Sequence, residues 1–117
     1  MKYKQKQKTN QRIEQITEST LVVGADIAKE THVARGVDFR GLELGKDCVF
    51  NNDQAGLLKL VSWMKELKRQ HAKTDVIFAI EPTGHYWFTL AEFLENEGIK
   101  LVIVNPHHVN SKELEDN

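Results

Sequence analysis

Two acidic residues stand where the sequence is otherwise apolar. Asp26 lies inside the apolar stretch 21–27, and Glu81 directly follows the apolar run 76–80. An ionised carboxylate in an apolar strand costs several kcal/mol unless it is paired, hydrogen-bonded or bound to a metal. Because the feature occurs twice, it favours one shared explanation, a divalent metal site built from both acids.

The chemistry of such a site depends on its ligands. Oxygen ligands without histidine or cysteine nearby in sequence favour Mg²⁺ or Mn²⁺ over Zn²⁺. Ions of this kind activate a nucleophile and stabilise a leaving oxygen in phosphoryl transfer, so phosphodiester chemistry is the leading hypothesis. The structural alternative is that Asp26 caps the turn after its strand and Glu81 pairs with a lysine.

The surrounding pattern predicts the elements that position these acids. A polar link at 28–30 separates two β-rich segments, and Asn51, Asn52 and Asp53 are typical of a helix cap before apolar residues at helical spacing. Gly98 is typical of the residue just after a helix. The predicted strands are 21–27, 31–37, 42–50, 76–80 and 101–104, with helices after 53 and around 87–94. The order βββαβαβ predicts an α/β, ribonuclease H-like fold with a mixed sheet of about five strands, in which the first strand lies beside the fourth.

Length and composition limit the remaining possibilities. The 117 residues, 40% of them hydrophobic, suffice for one compact domain. We expect a flexible basic arm over 1–19, the folded domain over 20–109 and a polar end over 110–117. The net charge of -1 neither supports nor excludes nucleic-acid binding. One cysteine and the absence of a long apolar stretch predict a cytoplasmic protein without a membrane partner.

Four short motifs follow one another along the chain. They are Gly24-Ala25-Asp26-Ile27-Ala28-Lys29, Phe50-Asn51-Asn52 leading to Gly56, Glu81-Pro82-Thr83-Gly84-His85-Tyr86, and Val104-Asn105-Pro106. These motifs and their order resemble one known family, the insertion sequence 110 family of transposases. The motif around Glu81 is the most specific of them, and the resemblance covers residues 21 to about 109.

The resemblance implies a RuvC-like domain with an Asp-Glu-Asp-Asp tetrad, in which Asp26 is the first acid and Glu81 the second. The last two acids would lie on a helix beyond the final strand, where the only similar spacing is Glu113 with Asp116. The first residue of this pair is Glu113, whereas the tetrad of the family has Asp there. We therefore expect an N-terminal fragment, truncated before the last catalytic helix and inactive alone in strand transfer.

For the complete protein, the resemblance implies metal-dependent cleavage and rejoining of DNA in a bacterial or archaeal cell. It also implies a second domain that carries a serine, a homo-oligomer and, in some members, a bridge RNA as guide. Mg²⁺ or Mn²⁺ would be the cofactor.

Five further residues are candidates for contact with nucleic acid. Thr83, Gly84, His85 and Tyr86 follow Glu81 at a strand-to-helix turn, where backbone amides and polar side chains can meet phosphate. Lys29 follows Asp26 and can reach a phosphate. The structural alternatives are that Thr83 caps the helix and that Lys29 is a solvated turn residue.

Three rival functions stay open. An actin-like or sugar-kinase-like nucleotide-binding fold begins with a similar strand, but its phosphate-binding hairpin needs glycine, which 28–31 lacks. A Holliday-junction resolvase would share the fold and the metal chemistry. A non-catalytic module for oligomerisation or nucleic-acid binding would leave both acids structural.

Overall fold

A mixed five-stranded sheet organises the part of the chain that the computed structural model describes, residues 16–81 and 86–104. Its strand order is β3-β2-β1-β4-β5, with β1 antiparallel to β2 and parallel to β4. The elements are β1 (Thr20–Asp26), β2 (Thr31–Val37), β3 (Cys48–Asn51), α1 (Gln54–Gln70), β4 (Asp75–Ile80), α2 (Phe88–Asn96) and β5 (Lys100–Ile103). This order confirms the predicted ribonuclease H-like α/β fold, with β1 beside β4.

Both helices pack on the same face of the sheet. The strand residues on that face and the apolar stripes of α1 and α2 form one buried cluster, which includes Val23, Phe78, Leu60 and Leu90. Period-two alternation directs the neighbouring strand residues to the opposite face. On that face Ile77 is only 3% exposed and Ala79 is half-buried, so the middle of β4 is shielded from solvent on both sides, as the continuous apolar run predicts.

The helix boundaries follow from their capping residues. Asp53 caps α1 by accepting a hydrogen bond from the Gly56 amide at 2.8 Å, and Lys68 and Arg69 lie in the last turn, where cations favour the helix dipole. After α2, Gly98 adopts a φ of 76°, the left-handed conformation in which glycine ends helices. Both predicted helix ends are confirmed.

The predicted third strand is wrong at its beginning. Residues 42–47 form a loop with one isolated bridge, Val37 to Glu43, and β3 begins only at Cys48. The side chain of Asp38 accepts hydrogen bonds from the amides of Arg40 at 2.9 Å and Leu42 at 3.0 Å. The Asp38 amide also donates to the Leu42 carbonyl at 2.9 Å, and the Leu44 amide donates to the Gly36 carbonyl at 2.8 Å, so the chain stays paired up to Leu44. Gly45 then has a φ of 70°, a left-handed conformation that interrupts the extended chain before β3 begins.

The termini lie mostly outside the described residues. The predicted basic arm falls there except for residues 16–19, and so does the predicted polar end 110–117. Ser19 accepts a hydrogen bond from the Thr74 amide at 2.9 Å, beside the start of β1. No helix in the described part is both long and apolar enough to cross a membrane.

Candidate functional site

The two predicted acids lie side by side at the carboxyl ends of the neighbouring strands β1 and β4. Ala25 of β1 is paired in parallel with Ile80 of β4, and both belong to the core beneath the helices. Continuing this register by one residue sets Asp26 beside Glu81, on the opposite face. Adjacent strands are about 4.8 Å apart, so the two side chains begin from neighbouring positions. Both residues are exposed.

A cleft of about 260 Å³ lies at these strand ends, and both acids line it. Its lining combines the carboxylates with a glycine, an arginine and apolar strand residues. The lining residues are Gly24, Ala25, Asp26, Val33, Arg35, Ala79, Ile80, Glu81 and Val104.

Neither carboxylate is engaged by the described part of the chain. No described residue donates a hydrogen bond to Asp26 or Glu81 or forms an ion pair with them, whereas the carboxylates of Asp38, Asp47 and Glu66 all accept bonds from arginine. The alternative roles as a turn cap and a lysine partner therefore gain no support among these residues. Two free, adjacent carboxylates are suited to a hard cation.

Buried polar contacts fix the turn that follows β1. His32 is fully buried, and its Nδ1 accepts a hydrogen bond from the Ala28 amide at 3.2 Å. Because Nδ1 accepts, the neutral ring carries its proton on Nε2. The Asn52 amide donates to the Glu30 carbonyl at 2.9 Å and so ties the same turn to the beginning of α1. The imidazole also meets the Phe50 ring edge-on at 5.1 Å between centroids.

Two buried polar atoms at this turn, His32 Nε2 and Asn52 Oδ1, have no hydrogen-bond partner among the described residues. The Asn52 side chain is nevertheless near enough to act on the imidazole. Burial lowers the pKa of His32, while the Asn52 side chain and the Thr31 backbone act in the opposite direction. The Nε2–H of His32 is a donor and Oδ1 of Asn52 is an acceptor, so a small movement of either side chain would allow a hydrogen bond between them.

Arg35 is a cleft residue that the sequence analysis missed. It lies on β2 opposite Gly24, and its Nε donates to Asp47 Oδ2 at 3.1 Å. The signal was present in the alternation of β2. Val33 pairs with Asp26, and Arg35 is two residues further, so it shares the face of the acids.

The other residues that were predicted to contact nucleic acid either lie outside the cleft or are not among the described residues. Lys29 is exposed in the turn between β1 and β2, and Tyr86 is 43% exposed just before α2, but neither lines the cleft. Thr83, Gly84 and His85 lie outside the described residues.

The described residues offer two carboxylate ligands rather than a complete metal site. Among them, no group of three or more His, Cys, Asp or Glu side chains could hold a metal ion. Asp26 and Glu81 fit part of the oxygen shell that Mg²⁺ prefers, with the remaining positions left for water, substrate or other ligands. The candidate pair Glu113 and Asp116 lies outside the described residues.

Comparison with known proteins gives a consistent result. The family model of the insertion sequence 110 transposases with a DEDD motif, described as "Transposase", matches residues 23–116. Pilin gene-inverting proteins are similar over 94 residues, at 33% identity in Moraxella bovis and 32% in Moraxella lacunata. That similarity covers 80% of this chain and 27% of each relative, so the chain spans about a quarter of their length. The chain belongs to the insertion sequence 110 family of DEDD transposases.

Proposed function

We propose that this chain supplies the first two metal-binding carboxylates, Asp26 and Glu81, of a DNA transposase or recombinase. The observation that carries the proposal is the pairing of two unengaged carboxylates at the ends of adjacent parallel strands, in one cleft. Family membership makes DNA the substrate to test first. The names of the pilin gene-inverting relatives, which cover inversion of a gene segment, point to the same class of DNA rearrangement.

In this function Asp26 and Glu81 would hold Mg²⁺ or Mn²⁺. A bound divalent cation supplies positive charge for phosphoryl transfer at a DNA phosphodiester. The contribution of the chain is to place two oxygen ligands at the ends of adjacent strands, Asp26 as the last residue of β1 and Glu81 directly after β4, because regular elements hold ligands more precisely than loops do. Val33, Ala79 and Val104 bring apolar groups to the cleft and limit the water around it.

The complete function requires more than the described residues. The two remaining tetrad acids, a serine-bearing domain, a homo-oligomer and a bridge RNA as guide are part of the proposal for the whole protein. Because the two carboxylates among the described residues fill only part of a metal shell, we expect Asp26 and Glu81 by themselves to bind the cation weakly, and we propose that the chain alone lacks strand-transfer activity.

Weak binding calls for a sensitive experiment. Paramagnetic Mn²⁺ titrated into ¹⁵N-labelled chain should broaden the amide signals of Ala25, Ile27 and Glu81 first, in spectra recorded by NMR. Asp26→Asn and Glu81→Gln should each abolish this selective broadening. Glu92→Gln removes the same charge from an exposed position on α2 and should leave it unchanged.

The alternatives give different spectra. Broadening that is equal in the parent and in both cleft variants would contradict the shared metal site. No selective broadening in the parent would favour the non-catalytic module. A Holliday-junction resolvase would bind the metal in the same way, but would prefer four-way junctions to linear DNA when the complete protein is compared on both.

A further inference from the structure

The three arginines of the described part differ in how they meet their acidic partners. Arg40 and Arg69 each present both Nε and Nη2 to a single carboxylate. Arg35 instead contacts Asp47 through Nε alone, at 3.1 Å. No described residue accepts a hydrogen bond from either Nη of Arg35, so four N–H donors of its guanidinium have no partner among these residues.

The position of Arg35 makes these donors available to a ligand in the cleft. Arg35 lines the cleft with Asp26 and Glu81, and 53% of its side chain is exposed. Its cross-strand partner is Gly24, where an added Cβ would have no atom within 4 Å. The floor of the cleft is therefore open at Gly24, next to the guanidinium.

The charges in the cleft limit what can bind there. Asp26 and Glu81 repel an anion unless a cation lies between them, while a guanidinium beside them attracts one. The planar fork of arginine matches the oxygens of a phosphate, and such charge-assisted bonds are about twice as strong as neutral ones. A phosphodiester lying along the floor over Gly24 would meet the guanidinium at one end and the acids at the other.

We propose that Arg35 binds a backbone phosphate of DNA in the cleft, and that Asp47 is a positioning residue that holds the guanidinium through Nε. The inference rests on the proposed function, because it takes the phosphate next to the cleaved bond as the ligand. Asp47 orients the fork without consuming it, since only one of the five donors is used. Arg35 adds a phosphate contact to the chemistry that the acids provide.

The test is binding of a fluorescent DNA duplex to the chain in Mg²⁺ buffer, measured by anisotropy at several salt concentrations. Arg35→Gln should weaken binding by about tenfold and reduce the slope of log affinity against log salt by about 0.9, the value for one lost phosphate contact. Arg35→Lys keeps the charge but not the fork, so it should retain the slope and recover only part of the affinity. Arg69→Gln is the matched control, because it also removes an exposed arginine paired with a carboxylate. It should change the affinity less than twofold.

Each outcome bears on the proposal. Equal effects of Arg35→Gln and Arg69→Gln, or no measurable DNA binding by the parent, would overturn it. Thermal unfolding of Arg35→Gln checks the fold, which should be preserved because the side chain is half exposed. Selective Mn²⁺ broadening at Asp26 and Glu81 should persist in Arg35→Gln, so loss of DNA binding with intact broadening isolates Arg35. Absence of that broadening in the parent marks failure of the metal site instead.

Discussion

Gly56 lies so close to Asn51 that a Cβ added to Gly56 would stand 1.9 Å from the Asn51 carbonyl oxygen. The contact joins the first turn of α1 to the last residue of β3, and backbone atoms on both sides leave no flexible group to move away. Asn52, between them, also holds the turn that follows Asp26 through its bond to Glu30. The requirement for glycine at position 56 is therefore steric.

The first prediction concerns this contact. Gly56→Ala should lower the free energy of unfolding by about 3 kcal/mol, the upper part of the usual range for overpacking, and the melting temperature by about 10 °C. Thermal unfolding followed by circular dichroism measures the change. Gly98→Ala is a useful comparison, since the positive φ there costs energy although no atom lies within 4 Å. A Gly56→Ala protein as stable as its parent would contradict the close approach.

Gly24 gives the opposite prediction. Gly24→Ala should leave stability unchanged or raise it by about 0.5 kcal/mol, because alanine restricts the unfolded chain and meets no atom in the fold. Gly24→Leu should also fold, but should weaken DNA binding severalfold by filling the cleft floor beside Arg35. Anisotropy and thermal unfolding on the same samples separate the two effects. Parallel loss of stability and binding in Gly24→Leu would show that the floor is not open.

The positions of Asp26 and Glu81 could be predicted from sequence because they depend on local rules. An acid at the end of an apolar run marks the end of a strand, and the element order sets β1 beside β4. The alternation of β2 also predicts that Arg35 lies on the exposed face of the sheet. An arginine on such a face is common, however, and alternation does not show which residues of the neighbouring strand form a cleft with it.

Other features depend on contacts that sequence patterns do not show. Residues 42–47 belong to the predicted third strand, and the Leu44 amide does donate to the Gly36 carbonyl of β2, but Gly45 adopts a φ of 70° that an extended strand does not contain. His32 is not part of the site that the sequence predicts. Its burial under the turn after β1, against Asn52, follows from tertiary packing.

The buried imidazole of His32 predicts a dependence of stability on pH. Because burial lowers its pKa in the folded state, the unfolded chain binds more protons below the ordinary value of about 6.5. The stabilisation that the neutral His32 gives to the folded state is fully present above pH 6.5 and is lost as the pH falls below that value. Protonation would also remove the acceptor for the Ala28 amide. The free energy of unfolding by urea should therefore decrease from pH 7.5 to pH 5.0.

Two variants separate His32 from the other groups that titrate in this range. His32→Gln should be less stable at pH 7.5 and should show a shallower decrease toward pH 5.0, because it has no imidazole to protonate. His71→Gln removes another histidine, at a half-buried position after α1, and is the matched control. An unchanged slope in His32→Gln would rule out this histidine as the source.

The cap of α1 gives a conventional stability prediction. Asp53→Ala removes the acceptor for the Gly56 amide and should cost about 1 kcal/mol of unfolding free energy. Asp53→Asn keeps a side-chain oxygen in the same place and should cost much less. Urea denaturation of both variants measures the difference. Equal losses would assign the effect to charge at the helix end rather than to the hydrogen bond.

The pair of acids should reduce stability while no cation is bound. Like charges placed side by side at the ends of neighbouring strands repel, and no described residue forms an ion pair with Asp26 or Glu81. Asp26→Asn or Glu81→Gln should therefore raise the melting temperature by about 2 °C, which corresponds to about 0.5 kcal/mol. Mn²⁺ should raise the melting temperature of the parent but of neither variant, since a ligand that binds only the folded state stabilises it. Functional groups commonly reduce the stability of a protein that has no ligand bound. If both substitutions lower the melting temperature instead, the carboxylates stabilise the fold and are structural.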